Sequence, residues 1–285
     1  MSNLHTLSRS LGDLVEKLSP SLVTVVGRRV NATATVWKEG GLFVTANHNL
    51  PRRDSPVLRL PDGSEHAAQT LGRDPSTDLA LLKVEGLDLP VPAWADEGGR
   101  VGEIVLALAN SGSGPRATMG LVTRASGPWR SRWGGDVDRW LEVDGSLPRG
   151  FSGGPLVAAD GALLGLNTRG LVRGGTTLTT PTLKRVLGLL ETEGRVRQGY
   201  LGVGAQPVEG GLLVNAVVSG SPAEAGGLKV GDVLVEGGGE ELRSLQDLFA
   251  LLSGHVESEV ELSILRGGEA QTLSVTPSER KRRRC

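Results

Sequence analysis

The sequence is poor in cysteine and has no long apolar run. Cys285 is its only cysteine, so no disulfide can form within the chain. No group of cysteines and histidines has the spacing of a zinc site, and we expect neither a metal nor any other cofactor. No apolar segment approaches the length that crosses a bilayer, so we predict no integral membrane segment.

Charge of one sign is also missing. The formal net charge is −1 across 285 residues, which favours neither nucleic acid nor an anionic membrane as a partner. The one basic block is the terminal "ERKRRRC", residues 279–285, which predicts a disordered, solvated tail. Weak contact of this tail with an anionic surface is the alternative.

The first residues, "MSNLHTLSRSLGDLVEKLSPS", lack the continuous apolar core of a secretory signal. Taken as written, they predict a cytoplasmic protein. A location in the cell envelope or periplasm is the alternative, if an export leader is missing from this sequence. Leucines recur at helical spacing between residues 7 and 18, which predicts an amphipathic helix that packs on the domain behind it.

Glycine is abundant, with 42 residues, and many of these glycines lie between short strand-like runs. Closely spaced strands with turn signals predict an all-β barrel or sandwich of about 180 residues. A helical segment that begins at Pro181 and ends near Gly194 separates it from a small α+β unit. We therefore predict domains at 1–194 and 198–278, followed by the tail.

The segment "RGFSGGPLV", residues 149–157, surrounds one serine with glycines. A serine nucleophile needs a neighbouring base, an acid that orients the base, and donors for the oxyanion. Glycine before Ser152 lets the N–H groups of Gly150 and Ser152 point to one spot, as an oxyanion hole requires. A tight glycine turn with an incidental serine is the alternative.

Few side chains can serve as the base. Of the four histidines, only His48 directly follows a buried-looking strand, "LFVTA", whose end would present the ring to a cleft. Surface positions are expected for the other histidines. For the acid, Asp78 and Asp74 both lie in "GRDPSTDLALLKV", and either one could be a turn carboxylate. Spacing does not decide between these two aspartates.

Three separated motifs carry a family resemblance. "TANHNL", "GRDPSTDLALLKV" and "GFSGGPLVAADGALLGLNTRG" together resemble the HtrA/Deg family of trypsin-like serine proteases. "GYLGVGAQP" and "GSPAEAGGLKVGDVLV" are similar to the PDZ domain that follows the protease in that family. The resemblance covers residues from about 10 to about 277. It implies a mainly β, chymotrypsin-like fold of two six-stranded barrels, followed by a small α+β PDZ domain.

Residue by residue, the resemblance implies His48 as general base, Asp78 as its orienting partner and Ser152 as nucleophile. It implies an oxyanion hole at Gly150, Phe151 and Ser152. It also implies a homo-oligomer, a trimer in most of the family. The chain departs from the family pattern at Phe151, where asparagine is usual, and at Asn49, where an aliphatic residue is usual.

The second unit has its own predicted site. "YLGVG" offers consecutive N–H groups to the carboxylate of a peptide, while the next strand pairs with that peptide as an added edge. A generic glycine turn is the alternative. The predicted peptide-binding residues are Tyr200, Leu201, Gly202, Val203, Leu245 and Leu248.

Two function classes follow. The first is a serine endopeptidase that cleaves unfolded or damaged proteins through an acyl-enzyme, with a PDZ domain that binds hydrophobic peptide C-termini. The second is a catalytically silent peptide-binding or chaperone-like scaffold, in which Phe151 and Arg149 distort the oxyanion loop. Retention of all three triad residues favours the endopeptidase.

Overall fold

The computed structural model describes residues 3–27, 30–51 and 55–279. The chain divides into two units, Met1–Val196 and Arg197–Cys285. None of the described helices is both long enough and apolar enough to cross a membrane.

An amphipathic helix, α1 (Asn3–Leu18), opens the first unit. Its apolar side includes Leu11, Leu14 and Val15, which pack against buried residues of the second barrel such as Leu106 and Val157. The helix ends in a 3-10 turn at Ser19–Ser21, where Pro20 cannot continue the α-helical hydrogen bonds. The predicted helix and its packing role are confirmed.

The first half of this unit is one antiparallel sheet with strand order β5-β4-β1-β2-β3-β7-β6. Its strands are β1 (Leu22–Val25), β2 (Ala32–Lys38), β3 (Leu42–Ala46), β4 (Val57–Arg59), β5 (Glu65–Ala67), β6 (Gln69–Asp74) and β7 (Leu79–Lys83). Its core is mainly aliphatic and includes the buried Phe43.

The sheet differs in one respect from the six-stranded barrel that the resemblance implies. The run from Glu65 to Asp74 is broken at Ala68, whose N–H donates to the carbonyl of Pro56 at 2.8 Å. The break places β5 at one edge of the sheet and β6 at the other. The result is a half-barrel of seven strands. The edge strands β5 and β6 are joined by the bend of the chain at Ala68 and not by hydrogen bonds between the two strands.

The second half contains eight strands. They are β8 (Ile104–Asn110), β9 (Pro115–Ser126), β10 (Trp129–Arg130), β11 (Asp136–Val137), β12 (Trp140–Val143), β13 (Pro155–Ala158), β14 (Leu163–Thr168) and β15 (Thr176–Thr179). Six of them close into a barrel, β12-β15-β14-β13-β8-β9, as predicted, and β10 and β11 form a separate hairpin. Helix α2 (Thr180–Thr192) follows, with Pro181 in its first turn.

The second unit contains strands β16 (Gly199–Tyr200), β17 (Val203–Val208), β18 (Gly211–Val217), β19 (Val233–Gly237), β20 (Glu240–Glu241), β21 (Val260–Arg266), β22 (Glu269–Val275) and β23 (Ser278–Glu279), and helices α3 (Pro222–Ala225) and α4 (Leu245–Gly254). Ser221 caps α3, and Ser244 with Asp247 forms a capping box on α4. Glu279, assigned above to the tail, pairs with Gly199. The rest of the predicted tail, 280–285, lies outside the described residues.

A partly buried ion pair joins two segments of this unit. Arg266 donates from Nε to Asp232 Oδ1 at 2.7 Å and from Nη2 to Asp232 Oδ2 at 2.8 Å. The Asp232 side chain is 1% exposed. The guanidinium, opposed in part by burial of the carboxylate, holds the pKa of Asp232 below its usual value.

Candidate active site

His48 and Asp78 meet because they lie at adjacent strand ends. Strand β3 pairs with β7, and Ala46 at the end of β3 is opposite Leu79 at the start of β7. His48 Nδ1 lies 2.6 Å from Asp78 Oδ2, and the His48 backbone N–H donates to Asp78 Oδ1 at 2.9 Å. One carboxylate therefore accepts from the backbone and from the ring of His48, which fixes the imidazole and leaves Nε2 as its outward nitrogen.

The turn before Asp78 separates the roles of the two aspartates. Asp74 is 1% exposed, and its carboxylate accepts bonds from the N–H and hydroxyl groups of both Ser76 and Thr77. It is therefore the turn carboxylate, while Asp78 contacts the histidine. Asp78 has a φ of 58°, in the left-handed region that aspartate tolerates better than most residues. The Thr168 hydroxyl also donates to Asp78 Oδ2.

An arginine holds the turn that carries His48. Arg73 Nε donates to Asn47 Oδ1 at 2.7 Å, Nη1 donates to the Pro51 carbonyl at 2.9 Å, and Nη2 donates to the carbonyls of Asn47 at 2.9 Å and Leu50 at 3.4 Å. The planar guanidinium suits this geometry because it presents several donors in fixed directions. Segment 47–51 is consequently fastened to β6.

Ser152 comes from the second barrel, on the loop before β13, and is 4% exposed. Its Oγ accepts a bond from the Arg169 N–H at 3.2 Å. Its carbonyl accepts a bond from Asn49 Nδ2 at 2.9 Å. A Cβ added at Gly170 would overlap Asp78 Oδ2 and lie 2.9 Å from His48 Nδ1. Segment 168–170 thus bonds to Asp78 and Ser152, and it has no room for a side chain at Gly170 beside His48.

The loop around Ser152 is held by its carbonyls. The Gly150 carbonyl accepts from Thr33 Oγ1 at 2.8 Å, and the Phe151 carbonyl accepts from the Gly154 N–H at 3.0 Å. The Phe151 N–H donates to the Pro148 carbonyl at 3.4 Å. Within the described residues, the N–H groups of Gly150 and Ser152 have no acceptor. Two neighbouring donors are therefore unpaired beside the serine hydroxyl.

Glycine is needed at this loop for steric reasons. Gly150 has a φ of 89°, and a Cβ built there would lie 2.7 Å from Ser111 Oγ. Gly153 has a φ of 88°, and its Cβ would overlap the Thr33 carbonyl oxygen. Both positions require left-handed backbone at a close approach, which glycine alone supplies without strain.

The Phe151 side chain lies away from the solvent side of this loop. Its side chain is 1% exposed and joins the core of the second barrel with Leu141, Leu156 and Leu164. The aromatic ring therefore lies on the barrel side of the loop, while the backbone on either side keeps its two unpaired donors.

A cavity of about 210 Å³ lies in the second barrel. Its lining combines loop residues such as Ser146 and Leu147 with Gly175, Thr176 and Thr177, which belong to the segment "GGTTLTTP". Asn167 also lines it, and the Asn167 Nδ2 is buried without a hydrogen-bond partner in the described residues.

The predicted peptide-binding residues lie around one edge of the second unit. Strand β17, which begins at Val203, ends the sheet order β17-β18-β19-β21-β22, and among the described residues it pairs with β18 alone. Gly202 has a φ of 86°, and a Cβ there would meet Ser221. Val203 and Leu245 are partly exposed, whereas Leu201 and Leu248 are 1% and 3% exposed and belong to the core. Tyr200, in β16, pairs with Ser278.

Sequence reasoning missed several side chains that position this site. Thr168, Arg73 and Asn49 each bond to the predicted triad or to its turns. The available signals were a charged residue inside the strand run "LGRD" and the unusual Asn49. Neither signal names its partner, because the contacts join residues that are distant in sequence.

Comparisons with known proteins agree with this architecture. The family model of the trypsin-like peptidase domain matches residues 32–166, and that of the PDZ domain matches residues 199–276. A probable periplasmic serine endoprotease, DegP-like, from Pseudomonas putida (strain GB-1) is 34% identical over 257 residues, 83% of this chain and 53% of the relative. Its counterpart in Chlamydia muridarum is 30% identical over 271 residues, 88% of this chain and 54% of the relative. The chain spans about half the length of the curated relatives it matches.

Solved structures give the same result. The serine endoprotease from Yersinia pestis is 25% identical, with a TM-score of 0.79 over 95% of this chain and 98% of that chain. The HtrA-type protease AlgW with a tripeptide is 27% identical, with a TM-score of 0.76 over 95% and 97%. These findings confirm the resemblance seen in the motifs: the chain belongs to the HtrA/Deg family of trypsin-like serine proteases with a C-terminal PDZ domain.

Proposed function

We propose that the protein is a serine endopeptidase that cleaves unfolded or damaged polypeptides through an acyl-enzyme. Ser152 is the nucleophile, His48 the general base and Asp78 the group that orients the base. The N–H groups of Gly150 and Ser152 form the oxyanion hole. Phe151, the third residue predicted for that hole, contributes its place in the loop but not its N–H, which donates to Pro148.

One observation carries this proposal. The only N–H groups in segment 150–154 that lack an acceptor within the described residues are those of Gly150 and Ser152. Unpaired backbone donors are uncommon because each one forgoes a hydrogen bond. Two of them on either side of one peptide, next to a serine hydroxyl, match the donor pair that stabilises a tetrahedral oxyanion. A silent scaffold has no need of this pair.

The proposed reaction assigns one role to each of these groups. Nδ1 of His48 is held by Asp78, so Nε2 takes the proton as Ser152 Oγ attacks the peptide carbonyl. The carbonyl oxygen becomes an oxyanion and accepts from the two N–H groups. His48 then protonates the leaving amine, the C–N bond breaks, and an acyl-enzyme remains. Water, deprotonated by His48, releases the acyl group and restores Ser152.

A fluorophosphonate probe tests this proposal without a known substrate, because labelling needs the nucleophile, the base and the oxyanion donors. We expect one label per chain in the wild type by intact mass, and none in Ser152→Ala. The Ser126→Ala variant, which removes an exposed serine hydroxyl at the end of β9, is the control for the serine that is labelled. A folded wild type that takes no label, with or without hydrophobic C-terminal peptides, would exclude the protease function.

We propose a second site in the PDZ domain, which binds the C-terminus of a hydrophobic peptide. Two observations favour it: the outer edge of β17 has no partner strand in the described residues, and the N–H groups of Leu201 and Gly202 have no acceptor there. A peptide could add to that edge, with its carboxylate on these donors. The HtrA-type protease AlgW is described with a tripeptide and with a decapeptide.

Fluorescence anisotropy with a labelled peptide that ends in a free valine carboxylate tests this second site. The same peptide with an amidated C-terminus is the control, since it keeps the side chains and loses the charge. We expect binding of the free acid alone, and weaker binding in Gly202→Ala. Equal binding of both peptides would contradict carboxylate capture.

Assembly, location and domain limits are proposed on the family assignment. We propose a homotrimer, testable by light scattering on the purified protein, and a place in the cell envelope, since the named relatives are periplasmic. Fractionation of the native cells tests the location, and recovery in the cytoplasm would restore the first prediction.

We retain a protease domain at 1–194 and a PDZ domain at 198–278, which limited proteolysis followed by mass spectrometry would test. For the acyl-side residue of the substrate we propose a small or aliphatic side chain, held in the 210 Å³ cavity.

A further inference from the structure

Arg116 makes three contacts with the oxyanion loop and its support. It lies at the start of β9, and its side chain is exposed. Its Nη1 donates to the carbonyl of Arg149 at 3.0 Å and to Ser111 Oγ at 3.1 Å. Its guanidinium carbon lies 5.0 Å from the centroid of the Phe151 ring, over the ring. These contacts converge on the two residues that flank Gly150.

The bond to the Arg149 carbonyl sets the direction of the Gly150 N–H. Both groups belong to one peptide unit, which is planar and trans, so its C=O and N–H point in opposite directions. While Arg116 holds the carbonyl, the N–H is turned away from Arg116. If this peptide rotated by about half a turn, the carbonyl would replace the N–H in the oxyanion hole. One bond thus separates a loop with two donors from a loop with one.

Gly150 makes such a rotation accessible. Glycine moves between positive and negative φ with little steric cost, and Gly150 is at 89°. The next carbonyl along the loop, that of Gly150, is fixed by Thr33. In the described residues the Arg149 carbonyl has Arg116 as its hydrogen-bond donor and no other. Arg116 is therefore the restraint specific to this peptide.

The Phe151 ring supports the guanidinium of Arg116. The ring is 1% exposed and packs in the core of the barrel. A guanidinium over an aromatic face gains a cation–π attraction, and arginine stacks this way better than lysine. The residue that departs from the family pattern, Phe151, thus anchors the side chain that holds the neighbouring peptide.

We propose that Arg116 is a positioning residue that keeps the oxyanion loop in its two-donor state, with the Phe151 ring as its platform. The inference rests on the proposed protease function and adds a determinant of its rate. Arg116 does not touch the reacting atoms. It acts on the population of chains whose Gly150 N–H faces the oxyanion.

The test measures the second-order rate of fluorophosphonate labelling, together with kcat and KM on fluorescein-labelled unfolded casein. For Arg116→Ala we expect labelling and kcat to fall about tenfold, and by less than the hundred- to thousand-fold that removal of an oxyanion donor costs. KM should stay within about twofold, since the proposed role changes the direction of one loop peptide and not the binding of substrate. Arg116→Lys should recover part of the loss, and Phe151→Leu, which removes the ring face, should lower both rates by severalfold.

Arg124→Ala is the matched control. It removes an arginine from the same strand, at a position that is 64% exposed and paired with Glu142. We expect wild-type kinetics for it. Thermal unfolding of every variant is recorded, and if Arg116→Ala unfolds early, Arg116→Met replaces it because it retains an unbranched apolar stem.

The outcomes separate the two proposals. A labelled wild type with slow Arg116→Ala, normal KM and normal unfolding supports the inference. A labelled wild type with Arg116→Ala equal to Arg124→Ala overturns the inference and leaves the protease function intact. A loss in KM alone also overturns it, since that result assigns Arg116 to substrate binding. A folded wild type that takes no label overturns both.

Discussion

The two halves of the candidate site are held in different ways. In the first half, side chains fix the proposed acid and base: the Asp74 carboxylate closes the turn before Asp78, and Arg73 holds the turn of His48. In the second half, backbone carbonyls fix the loop of Ser152, and glycine at 150 and 153 provides the left-handed backbone. A charged side chain, Arg116, holds only the outermost carbonyl of that loop.

This difference predicts two kinds of failure. A substitution in the first half displaces a side chain or changes its protonation, and the rest of the site stays in place. A substitution in the second half changes the direction of a peptide unit, and an oxyanion donor is lost although the triad remains. Substitutions at Asp78, Gly150 and Arg73 separate these two kinds of failure.

The largest effect is expected at the acid. Asp78→Asn keeps the shape of the side chain but loses the charge that orients His48, so we expect kcat to fall about 10⁴-fold. Steady-state kinetics on unfolded casein measure the loss of kcat. The rate of fluorophosphonate labelling, followed by intact mass, should fall with it.

Asp74→Asn is its control, as the same change four residues earlier, and should cost about 1–3 kcal/mol of stability with a far smaller loss of rate. Equal rate losses for the two variants would mean that Asp78 acts only through the fold of the turn.

The next effect is expected in the loop. Gly150→Ala places a Cβ 2.7 Å from Ser111 Oγ at a φ of 89°, so the peptide must rotate and one donor is lost. We expect kcat to fall about 10²- to 10³-fold with little change in KM.

Gly63→Ala is the matched control, because Gly63 has a φ of 88° and its added Cβ would meet nothing within 4 Å. It carries the same backbone cost away from the site and should label at the wild-type rate. If Gly150→Ala also labels normally, the loop does not depend on this glycine.

A smaller effect is expected at the turn of the base. Arg73→Leu removes the donors that hold Asn47, Leu50 and Pro51, so His48 should sample more positions and kcat should fall about tenfold. Arg59→Leu, in the same sheet, removes an exposed ion pair with Glu65 and should not change kcat. Steady-state kinetics on unfolded casein measure both variants, and the same kcat in Arg73→Leu as in Arg59→Leu would remove Arg73 from the account.

The smallest effect on catalysis is expected in the second unit, where Asp232 affects stability and pH. The folded state lowers the pKa of Asp232 below the value of about 3.9 expected for the unfolded chain. A lowered pKa stabilises the fold above the unfolded value, and this contribution is lost as pH falls through the folded value. Asp232→Asn should lower the free energy of unfolding by about 1–3 kcal/mol near neutral pH and less below pH 4.

Chemical denaturation between pH 3 and pH 7, which follows the unfolding of the second unit, measures the difference in the free energy of unfolding between the wild type and Asp232→Asn. Fluorophosphonate labelling of Asp232→Asn should match the wild type. A difference in stability that grows as the pH falls would contradict the assigned ion pair.

Local patterns in the sequence predicted much of the fold. Leucine spacing located α1, Pro181 marked the start of α2, and the Ser221-Pro222 pair marked α3, because caps and helical periodicity are short-range signals. The break at Ala68, which opens the first barrel, was not predicted. The residues before it pair with β4 and the residues after it pair with β7, and the sequence alone does not show which strand each part will meet.

The motifs of the candidate site could be predicted from the sequence, but the side chains that hold its loops in place could not. His48, Asp78 and Ser152 stood in recognisable segments, while the choice between Asp74 and Asp78 needed the family resemblance and then the geometry. Arg73, Arg116 and Asn49 bond to backbone carbonyls far along the chain. Such contacts leave no periodic trace, so no single-sequence pattern identifies them.

The most direct test of the account is a crystal structure of the fluorophosphonate adduct at Ser152. We predict that the phosphoryl oxygen lies about 2.7–3.1 Å from the N–H nitrogens of both Gly150 and Ser152, with the Arg149 carbonyl still bonded to Arg116. An adduct whose phosphoryl oxygen points to solvent, or a Gly150 N–H turned away from it, would contradict the claim that this loop is a formed oxyanion hole.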